Sequence, residues 1–344
     1  MARSLELGLD TFGDITAASD GRFLPHAQVI RNIVEEAVLA DELGVDFFGV
    51  GEHHRADFAV SSPEVVLAVI AGRTRRIRLG SATTVLSSDD PVRVFQRFAT
   101  LDAATSGRAE VILGRGWFLE SFPLFGYEVS QYDALFEEKL DLFAALIRQN
   151  IITWRGKFRA PLTNQQVYPP IEAALLRTWV AVGASPESVL RAARYNLPMI
   201  LAIIGGDPQR FRPFVELYHR AFEKLGGPSQ AIGVHSAGYV ADTDAQAREE
   251  FWVHYKTFRD RIGVERGWSP VSRATFNVEA DRGSLYVGSP DTVARRIVTT
   301  VKTLDISRFE MKYSVGALPH EKLLHSIELY GSRVIPLVHD MLGR

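Results

Sequence analysis

The sequence predicts one α/β domain over residues 1–344, a (β/α)8 TIM barrel with insertions at the C-terminal face of its strands. Three observations predict this fold. Short apolar runs alternate with stretches of helical periodicity, eight such pairs can be counted, and polar clusters follow several of the strand-like runs. Eight units joined by right-handed crossovers close naturally into a parallel barrel, whereas open doubly wound sheets rarely contain so many.

The first half of the chain contains the first four units. The first strand carries Leu5, Leu7 and Leu9, and the helix that follows presents apolar residues from Val29 onward and stops before Gly44. The next strands are predicted over 45–51, 77–86 and 109–113, and the helices after the second and third strands over 63–73 and 91–105. Both of these helices begin with proline, which a first helical turn tolerates because its N–H needs no partner there.

The second half repeats the pattern with longer interruptions. Strands are predicted over 178–182, 199–203, 233–240 and 308–313, and helices over 186–195, 208–225, 245–255 and 321–338, with a further helix over 290–304. The two insertions span about 118–176 and 258–287.

The first insertion is predicted to contain an aromatic-rich loop, a helix over 132–147 and a small hairpin over 151–157, followed by a segment without regular pattern. Insertions at a catalytic face are usually lids. Its aromatic residues could supply an apolar lid or could simply pack in the core; they are Trp117, Phe118, Phe122, Phe125 and Trp154. The second insertion, rich in Arg, Gly and Ser, is either a mobile cover or a long surface connection.

Composition excludes several classes of function. The chain has 39 Lys and Arg against 41 Asp and Glu residues, for a formal net charge of -2, and no basic run suited to nucleic acid. It has no cysteine, which excludes disulfides, thiolate nucleophiles and cysteine-ligated metals. We find neither a signal peptide nor a run long enough to span a bilayer, so we expect a cytoplasmic protein without a membrane partner.

Glu52, His53 and His54 directly follow the second strand. At the mouth of a barrel, an imidazole can donate or accept a proton near neutral pH, so His53 is a catalytic candidate. A histidine that only holds a loop is the structural alternative. Metal binding with Asp57 is disfavoured, because neighbouring strand residues face opposite ways and no third histidine follows at a recognisable spacing. We therefore predict no metal.

Small residues end the third strand, among them Ser81, Ala82, Thr83 and Thr84. Small side chains let a flat ring lie close to the backbone, and such sites sometimes contain an unusual peptide bond. Alanine and threonine are also ordinary strand residues, so this segment is a weak indication by itself.

Two segments could bind an anion such as a phosphate. Arg115 lies between two glycines that let the backbone turn sharply, although a tight turn with a solvated arginine is an equal alternative. A later strand ends at Gly183, and Ser185 can cap the next helix so that the N–H groups near Glu187 and Ser188 face the mouth. A helix capped for purely structural reasons would show the same pattern.

Three common nucleotide and hydrolase motifs are absent. There is no G-x-G-x-x-G after the first strand, no G-x-x-x-x-G-K-[ST] and no G-x-S-x-G. The sequence therefore supports neither a Rossmann dinucleotide site, nor a P-loop, nor a hydrolase nucleophile elbow.

Four segments together resemble the bacterial luciferase-like flavin monooxygenases, a TIM-barrel family. They are GVDFFGVGEHH, RIRLGSATTVLSSDDPVRVFQRFATLD, SGRAEVILGRG and AVGASPESVLRAAR, and the similarity runs from Leu5 to Pro336. The resemblance implies reduced FMN at the mouth, with its ring over the third strand and often a non-proline cis peptide, here between Ala82 and Thr83. It also implies that His53 stands near the reactive edge of the flavin. The implied phosphate ligands are Arg115, Ser185 and the backbone at Glu187 and Ser188.

The resemblance also implies an activity. Dioxygen would add to reduced FMN to give a peroxyflavin, which would oxidise a small apolar or carbonyl-bearing molecule, and a separate NAD(P)H:flavin reductase would supply the reduced flavin. A homodimer is implied, with contact through the helices after the second and third strands. A related branch uses a deazaflavin for hydride transfer without oxygen, and a flavin-binding barrel without catalysis is a third alternative. Bulky Trp117 makes the ring pocket differ from that of light-emitting members.

Overall fold

The computed structural model describes residues 5–18, 20–171, 175–183 and 185–343. The strands, in chain order, are β1 (Glu6–Thr11), β2 (Phe47–Val50), β3 (Arg78–Ser81), β4 (Thr84–Val85), β5 (Ala109–Gly114), β6 (Ile151–Trp154), β7 (Leu162–Gln166), β8 (Arg177–Val182), β9 (Met199–Ala202), β10 (Ile232–Val240), β11 (Tyr286–Gly288) and β12 (Arg308–Lys312). The helices are α1 (His26–Glu42), α2 (Pro63–Ala71), α3 (Pro91–Ala104), α4 (Ser121–Leu124), α5 (Tyr132–Leu146), α6 (Pro186–Arg194), α7 (Arg212–Leu225), α8 (Asp244–Arg266), α9 (Arg273–Arg282), α10 (Pro290–Leu304), α11 (His320–Leu329) and α12 (Ile335–Leu342).

Eight of these strands close into the predicted barrel. Their order is β12, β1, β2, β3, β5, β8, β9 and β10, and β10 pairs in turn with β12. All of these pairings are parallel. Because side chains alternate along a strand, each strand has one side chain facing the barrel interior for every one that faces the helices.

Two apolar layers hold the barrel together. The larger layer fills the space between strands and helices and includes Leu7 and Leu9 of β1, both fully buried. The smaller layer lies inside the barrel and contains Phe47, Ile112, Trp179 and Ile200. The inner layer separates the mouth from the N-terminal end of the barrel.

An ionic network fills the N-terminal end. Arg308 is fully buried, and its Nη1 donates to Glu110 Oε2 at 2.7 Å. Arg177 bridges Glu110 and Glu6 at 3.0 and 2.7 Å. Burial alone would raise the pKa of Glu110, but the charge and hydrogen bonds of Arg308 outweigh it and lower that pKa to about 2. Arg78 of β3 also pairs with Glu110, so the network joins residues of five barrel strands.

The second insertion differs from the prediction. The helix expected over 245–255 extends as α8 to Arg266, and a second helix, α9, follows it. The seventh barrel unit instead uses α10, which packs against β11 and α12 on the outside. The short strand β11 pairs with β10 and was not predicted. It follows that α8 and α9 together form the inserted segment.

The first insertion contains a helix packed on the barrel and a hairpin. Its helix, α5, packs against α3 on the outside of the barrel, as a regular barrel helix does. The predicted hairpin is longer than expected, because β6 pairs with β7 in the segment that showed no regular pattern. Trp154 of this hairpin donates to Asp141 of α5, so the hairpin lies along α5. Residues 172–174 of this insertion lie outside the described residues.

Two further elements are interrupted. The third predicted strand is divided into β3 and β4, and the helix predicted over 321–338 becomes α11 and α12 joined by a π-helical turn at Tyr330–Val334. Among the described residues, no helix combines the length and apolar character that crossing a membrane requires.

Candidate active site

Small inward-facing residues bring three strands close together at the mouth. A Cβ atom added to Gly49 of β2 would lie 2.9 Å from Ala82 Cβ and 3.0 Å from Asp10 Cβ. One added to Gly51 would lie 2.9 Å from the Phe12 ring and 3.0 Å from the Ala82 carbonyl oxygen. Gly49 and Gly51, which carry no side chain, therefore form the floor of the mouth at the end of β2. Asp10 and Phe12 lie on one side of this floor, and Ala82 lies on the other.

The peptide bond between Ala82 and Thr83 is cis, at the position that the family resemblance implied. The carbonyl oxygen of Thr83 accepts a hydrogen bond from the Glu52 amide at 3.2 Å. Glu52 also accepts from the Val85 amide at 2.8 Å and pairs with His54 Nε2 at 2.9 Å. Glu52 thus fixes the loop after β2 to the segment after the cis bond.

His53 lies in an aromatic cage above this floor. Its ring stacks on Phe58 with centroids 4.2 Å apart and lies 4.7 and 5.6 Å from Phe12 and Phe118. Its Nδ1 is buried and has no hydrogen-bond partner among the described residues. Burial, with the nearby positive charge of Lys312, lowers the pKa of His53 to about 3, so the imidazole is neutral at pH 7.

The four possible metal ligands after β2 do not converge. Asp57 pairs with Arg55 and Arg261, Glu52 pairs with His54, and His53 faces aromatic rings. Each acidic group already pairs with a residue of the same loop or of α8.

The two predicted anion-binding segments meet at one edge of the mouth. Arg115 Nη2 donates to Ser188 Oγ at 3.5 Å, and the hydroxyls of Ser185 and Ser188 are 2.9 Å apart. Ser185 caps α6 by accepting from the Ser188 amide at 3.3 Å. Arg115 also pairs with Asp133 at 2.5 Å. An arginine beside a helix N-terminus is a favourable environment for a phosphate.

The remaining predicted residues of this segment border the same edge. Gly183 and Glu187 are exposed, and Ala184 between Gly183 and Ser185 lies outside the described residues. Gly116, after Arg115, has a φ of +84°, which explains why glycine follows the arginine in this turn.

Apolar residues from three segments cover the mouth. Phe58 of the loop after β2, Phe118 of the loop after β5 and Ile262 of α8 form one buried cluster, with Phe12 and Phe258 packed against it. Of the aromatic residues predicted as a lid, Phe118 belongs to this cover, and the others pack beside it or elsewhere. Trp117 stacks with Trp268, Phe125 contacts His54, Phe122 is buried against Tyr132 and Trp154 lies on the hairpin.

Sequence reasoning missed three ionisable residues below the mouth. His235 Nδ1 lies 2.8 Å from Asp10 Oδ2, and the His235 ring stacks on Phe12 at 5.6 Å. Glu310 lies beside them, with polar atoms of all three residues within 4.8 Å of one another. The available signal was an ionisable residue inside an otherwise apolar strand, since such a residue needs a buried partner.

This chain is similar to known proteins over most of its length. The sequence profile of the luciferase-like monooxygenases matches residues 11–306. The N-acetyl-S-alkylcysteine monooxygenase of Bacillus subtilis (strain 168) is 28% identical over 301 residues, covering 82% of this chain and 86% of that protein.

Two solved structures share the fold. The oxygenating constituent of 3,6-diketocamphane monooxygenase from Pseudomonas putida, a type II Baeyer-Villiger monooxygenase in complex with FMN, has a TM-score of 0.76 at 18% identity, covering 97% of this chain and 98% of that one. An F420-dependent secondary alcohol dehydrogenase with a bound F420-acetone adduct has a TM-score of 0.75 at 16% identity, covering 97% and 99%. Because the family profile spans most of the sequence, this chain belongs to the luciferase-like monooxygenase family, whose members are oxidoreductases.

Proposed function

We propose that this protein is a flavin-dependent monooxygenase that uses reduced FMN and dioxygen to oxidise a small apolar or carbonyl-bearing molecule. The observation that carries the proposal is the convergence of Arg115, Ser185 and Ser188 at the edge of a mouth that also has a floor of small residues. A flat ring with a phosphate tail needs both features, and here they lie side by side.

The described residues fit FMN in two respects. The phosphate would be held by Arg115, Ser185, Ser188 and the amides near Glu187 at the start of α6. Asp133, which pairs with the Arg115 guanidinium, would release that group to the phosphate or share it. Ala82 and Thr83 would lie under the ring, because Gly49 and Gly51 at the end of the neighbouring strand carry no side chain. Gly183, which has no side chain, would let the phosphate tail pass between the phosphate site and the ring site.

The protein's own residues then define the conditions of the reaction. Reduced FMN, when bound, supplies two electrons to dioxygen. The cover of Phe58, Phe118 and Ile262 keeps water out of the mouth, which protects the oxidising group from side reactions. We propose that His53 orients the bound ring or substrate by hydrogen bonding, because its low pKa keeps the imidazole neutral at pH 7, with one N–H donor and one nitrogen acceptor and no imidazolium to act as an acid.

Partners follow from the same proposal. The chain lacks a Rossmann dinucleotide fingerprint, so we propose that a separate NAD(P)H:flavin reductase supplies reduced FMN. We also propose a homodimer, which the exposed apolar face of α2 supports.

Anaerobic titration of the protein with reduced FMN, followed by a pulse of oxygen, tests the proposed function. We expect saturable binding and a transient flavin absorbance that matches neither the reduced nor the oxidised form. Tight binding of a reduced deazaflavin, with no binding of reduced FMN and no oxygen consumption, would contradict the proposal and favour hydride transfer.

A further inference from the structure

Three ionisable side chains that neither the anion-binding edge nor the cover uses meet inside the barrel. Asp10, His235 and Glu310 project inward from β1, β10 and β12, and each is at least nine-tenths buried. Two carboxylates and an imidazole held this closely, away from water, need protons or opposite charges to offset the cost of burial. The cluster therefore requires a chemical explanation.

The hydrogen bonds leave specific atoms free. His235 Nδ1 donates to Asp10 Oδ2 at 2.8 Å, so Nε2 is the ring nitrogen available to the mouth. The His235 side chain is 11% exposed and stacks on Phe12, which lines the mouth. Asp10 Oδ1 and Glu310 Oε2 are buried without a hydrogen-bond partner among the described residues. Two neighbouring carboxyl oxygens of this kind can share one proton, since a protonated carboxyl donates to an ionised one.

The charges around the cluster favour two bound protons. Burial lowers the pKa of His235, but the charge and hydrogen bond of Asp10, together with Glu310, outweigh it and raise that pKa above its ordinary value. Burial raises the pKa of Glu310 to about 8 despite the positive charge of Arg308. The nearby ammonium of Lys312 is bound to Asp14. His53 lies beyond Phe12 and is neutral at pH 7.

We propose that Asp10, His235 and Glu310 form a proton relay for the reaction at the mouth. The inference rests on the proposed monooxygenase function. Two electrons and one proton pass from the anionic reduced flavin to dioxygen, so one further proton is needed to release an oxygen atom, as water if the substrate has accepted the other oxygen atom or within hydrogen peroxide if no substrate is bound. The Nε2–H bond of His235 breaks and its proton goes to that oxygen atom.

Asp10 and Glu310 are positioning residues in this step. As His235 becomes neutral, the proton of the Glu310 carboxyl moves to Asp10, which leaves the Glu310 carboxylate facing Arg308 at 3.3 Å. The negative charge then lies on Glu310, opposite Arg308, and no longer on Asp10. Nε2 regains a proton from solvent once the product has left, and the carboxyl proton returns to Glu310.

The first test needs no flavin. Infrared spectra of the full chain at pH 7 should contain a protonated-carboxyl C=O band that Glu310→Gln removes. NMR titration of the histidine rings should show His235, assigned by the loss of its signal in His235→Gln, titrating above pH 6.5. A missing carboxyl band, a His235 ring that is neutral at pH 6.5, or a stoichiometric divalent cation in the purified protein would overturn the relay.

The second test follows the reaction of the reduced FMN complex with oxygen across pH. His235→Gln should slow flavin reoxidation about 100-fold, a typical contribution of a proton donor, with unchanged affinity for reduced FMN. Glu310→Gln should abolish the pH dependence near pH 8, which a merely structural residue would not do. The matched control His325→Gln changes a half-exposed histidine of α11 that pairs with Asp242, and we expect no effect.

The two proposals fail in different ways. A protein that binds no reduced FMN but shows the carboxyl band and the raised His235 titration contradicts the proposed function alone. Normal FMN binding with full reoxidation rates in His235→Gln contradicts the relay alone.

Discussion

At the scale of single residues, two histidines on either side of Phe12 show how strongly the surroundings determine the chemistry of one side chain. His53 is surrounded by aromatic rings and has no partner for Nδ1, and its pKa falls to about 3. His235 pairs with Asp10, and its pKa rises. Desolvation acts on both rings in the same direction, so the buried carboxylate decides the difference. One ring is suited to orienting a ligand and the other to delivering a proton.

The proposed phosphate contact can be tested at Arg115. We expect Arg115→Ala to weaken binding of reduced FMN about 10- to 100-fold, because a charge-assisted hydrogen bond contributes roughly 1.5–3 kcal/mol. Reduced riboflavin lacks the phosphate and should lose little affinity. Fluorescence or calorimetric titration under anaerobic conditions measures both ligands. Arg194→Ala, which changes an exposed arginine of α6 paired with Glu137, is the matched control. Equal losses for the two ligands would rule out the assigned contact.

Local signatures made part of the site predictable from sequence. Arg115 stands next to a glycine that adopts a positive φ, and Ser185 precedes the proline that starts α6, so neighbouring residues alone indicate a turn and a cap. Asp10, His235 and Glu310 carry only the signal of an ionisable residue within an apolar strand, which does not identify the partner of that residue. They are far apart in sequence and meet only because the β10–β12 and β12–β1 registers align their strands. That register depends on closure of the whole barrel, which no local pattern reveals.

At the scale of elements, Arg55 connects the pieces of the cover. Its guanidinium donates to Asp57 in its own loop, to Glu120 after β5 and to Glu265 of α8. It also lies 4.3 Å from the centre of the Phe118 ring. The side chain is mostly buried, so solvent screens these pairs less than it would on an open surface. One arginine therefore fixes two insertions to the loop that carries His53.

We expect Arg55→Met to loosen this cover while leaving the barrel folded. Methionine keeps the apolar stem but removes all donors, which leaves Glu120 and Glu265 without their shared partner. Hydrogen exchange of amides in residues 117–131 and in the second half of α8 should become about 10-fold faster, corresponding to roughly 1.4 kcal/mol. Arg273→Met, which removes a pair with Glu249 away from the mouth, should not change exchange in residues 117–131. Unchanged exchange in the Arg55 variant would show that the apolar cluster alone holds the cover.

Periodicity predicted the barrel elements well and the cover poorly, for a physical reason. Strands and barrel helices bury one face in a repeating environment, which leaves the regular apolar spacing that identified β2 and α3. The helix α8 buries only a few residues, among them Phe251 and Ile262, so its full length was not evident. The strand β11 has three residues, too few to show alternation. Elements that cover a site need only scattered contacts.

At the scale of the whole molecule, α2 is apolar on its outer face as well as its inner one. Val66, Leu67 and Ile70 are buried against the barrel, while Val65 and Val69 are 62% and 52% exposed. A helix that is apolar all round is normally covered on every side. Because Val65 and Val69 are one turn apart, they form a continuous stripe rather than scattered exposed residues. The resemblance implied a dimer contact at this same helix.

The double variant Val65→Lys/Val69→Lys should convert a dimer into a monomer. In a two-fold symmetric interface each substitution counts twice, so four buried valines are lost at about 1.5 kcal/mol each, and four ammonium groups face an apolar partner. The dissociation constant should therefore rise by several orders of magnitude. Size-exclusion chromatography with light scattering measures the mass of the wild-type protein and of the variant. Val253→Lys, on an equally exposed valine of α8, should leave the mass unchanged. A wild-type monomer, or a variant that stays dimeric, would show that this stripe is not the contact, and circular dichroism would verify that the variant has kept its fold.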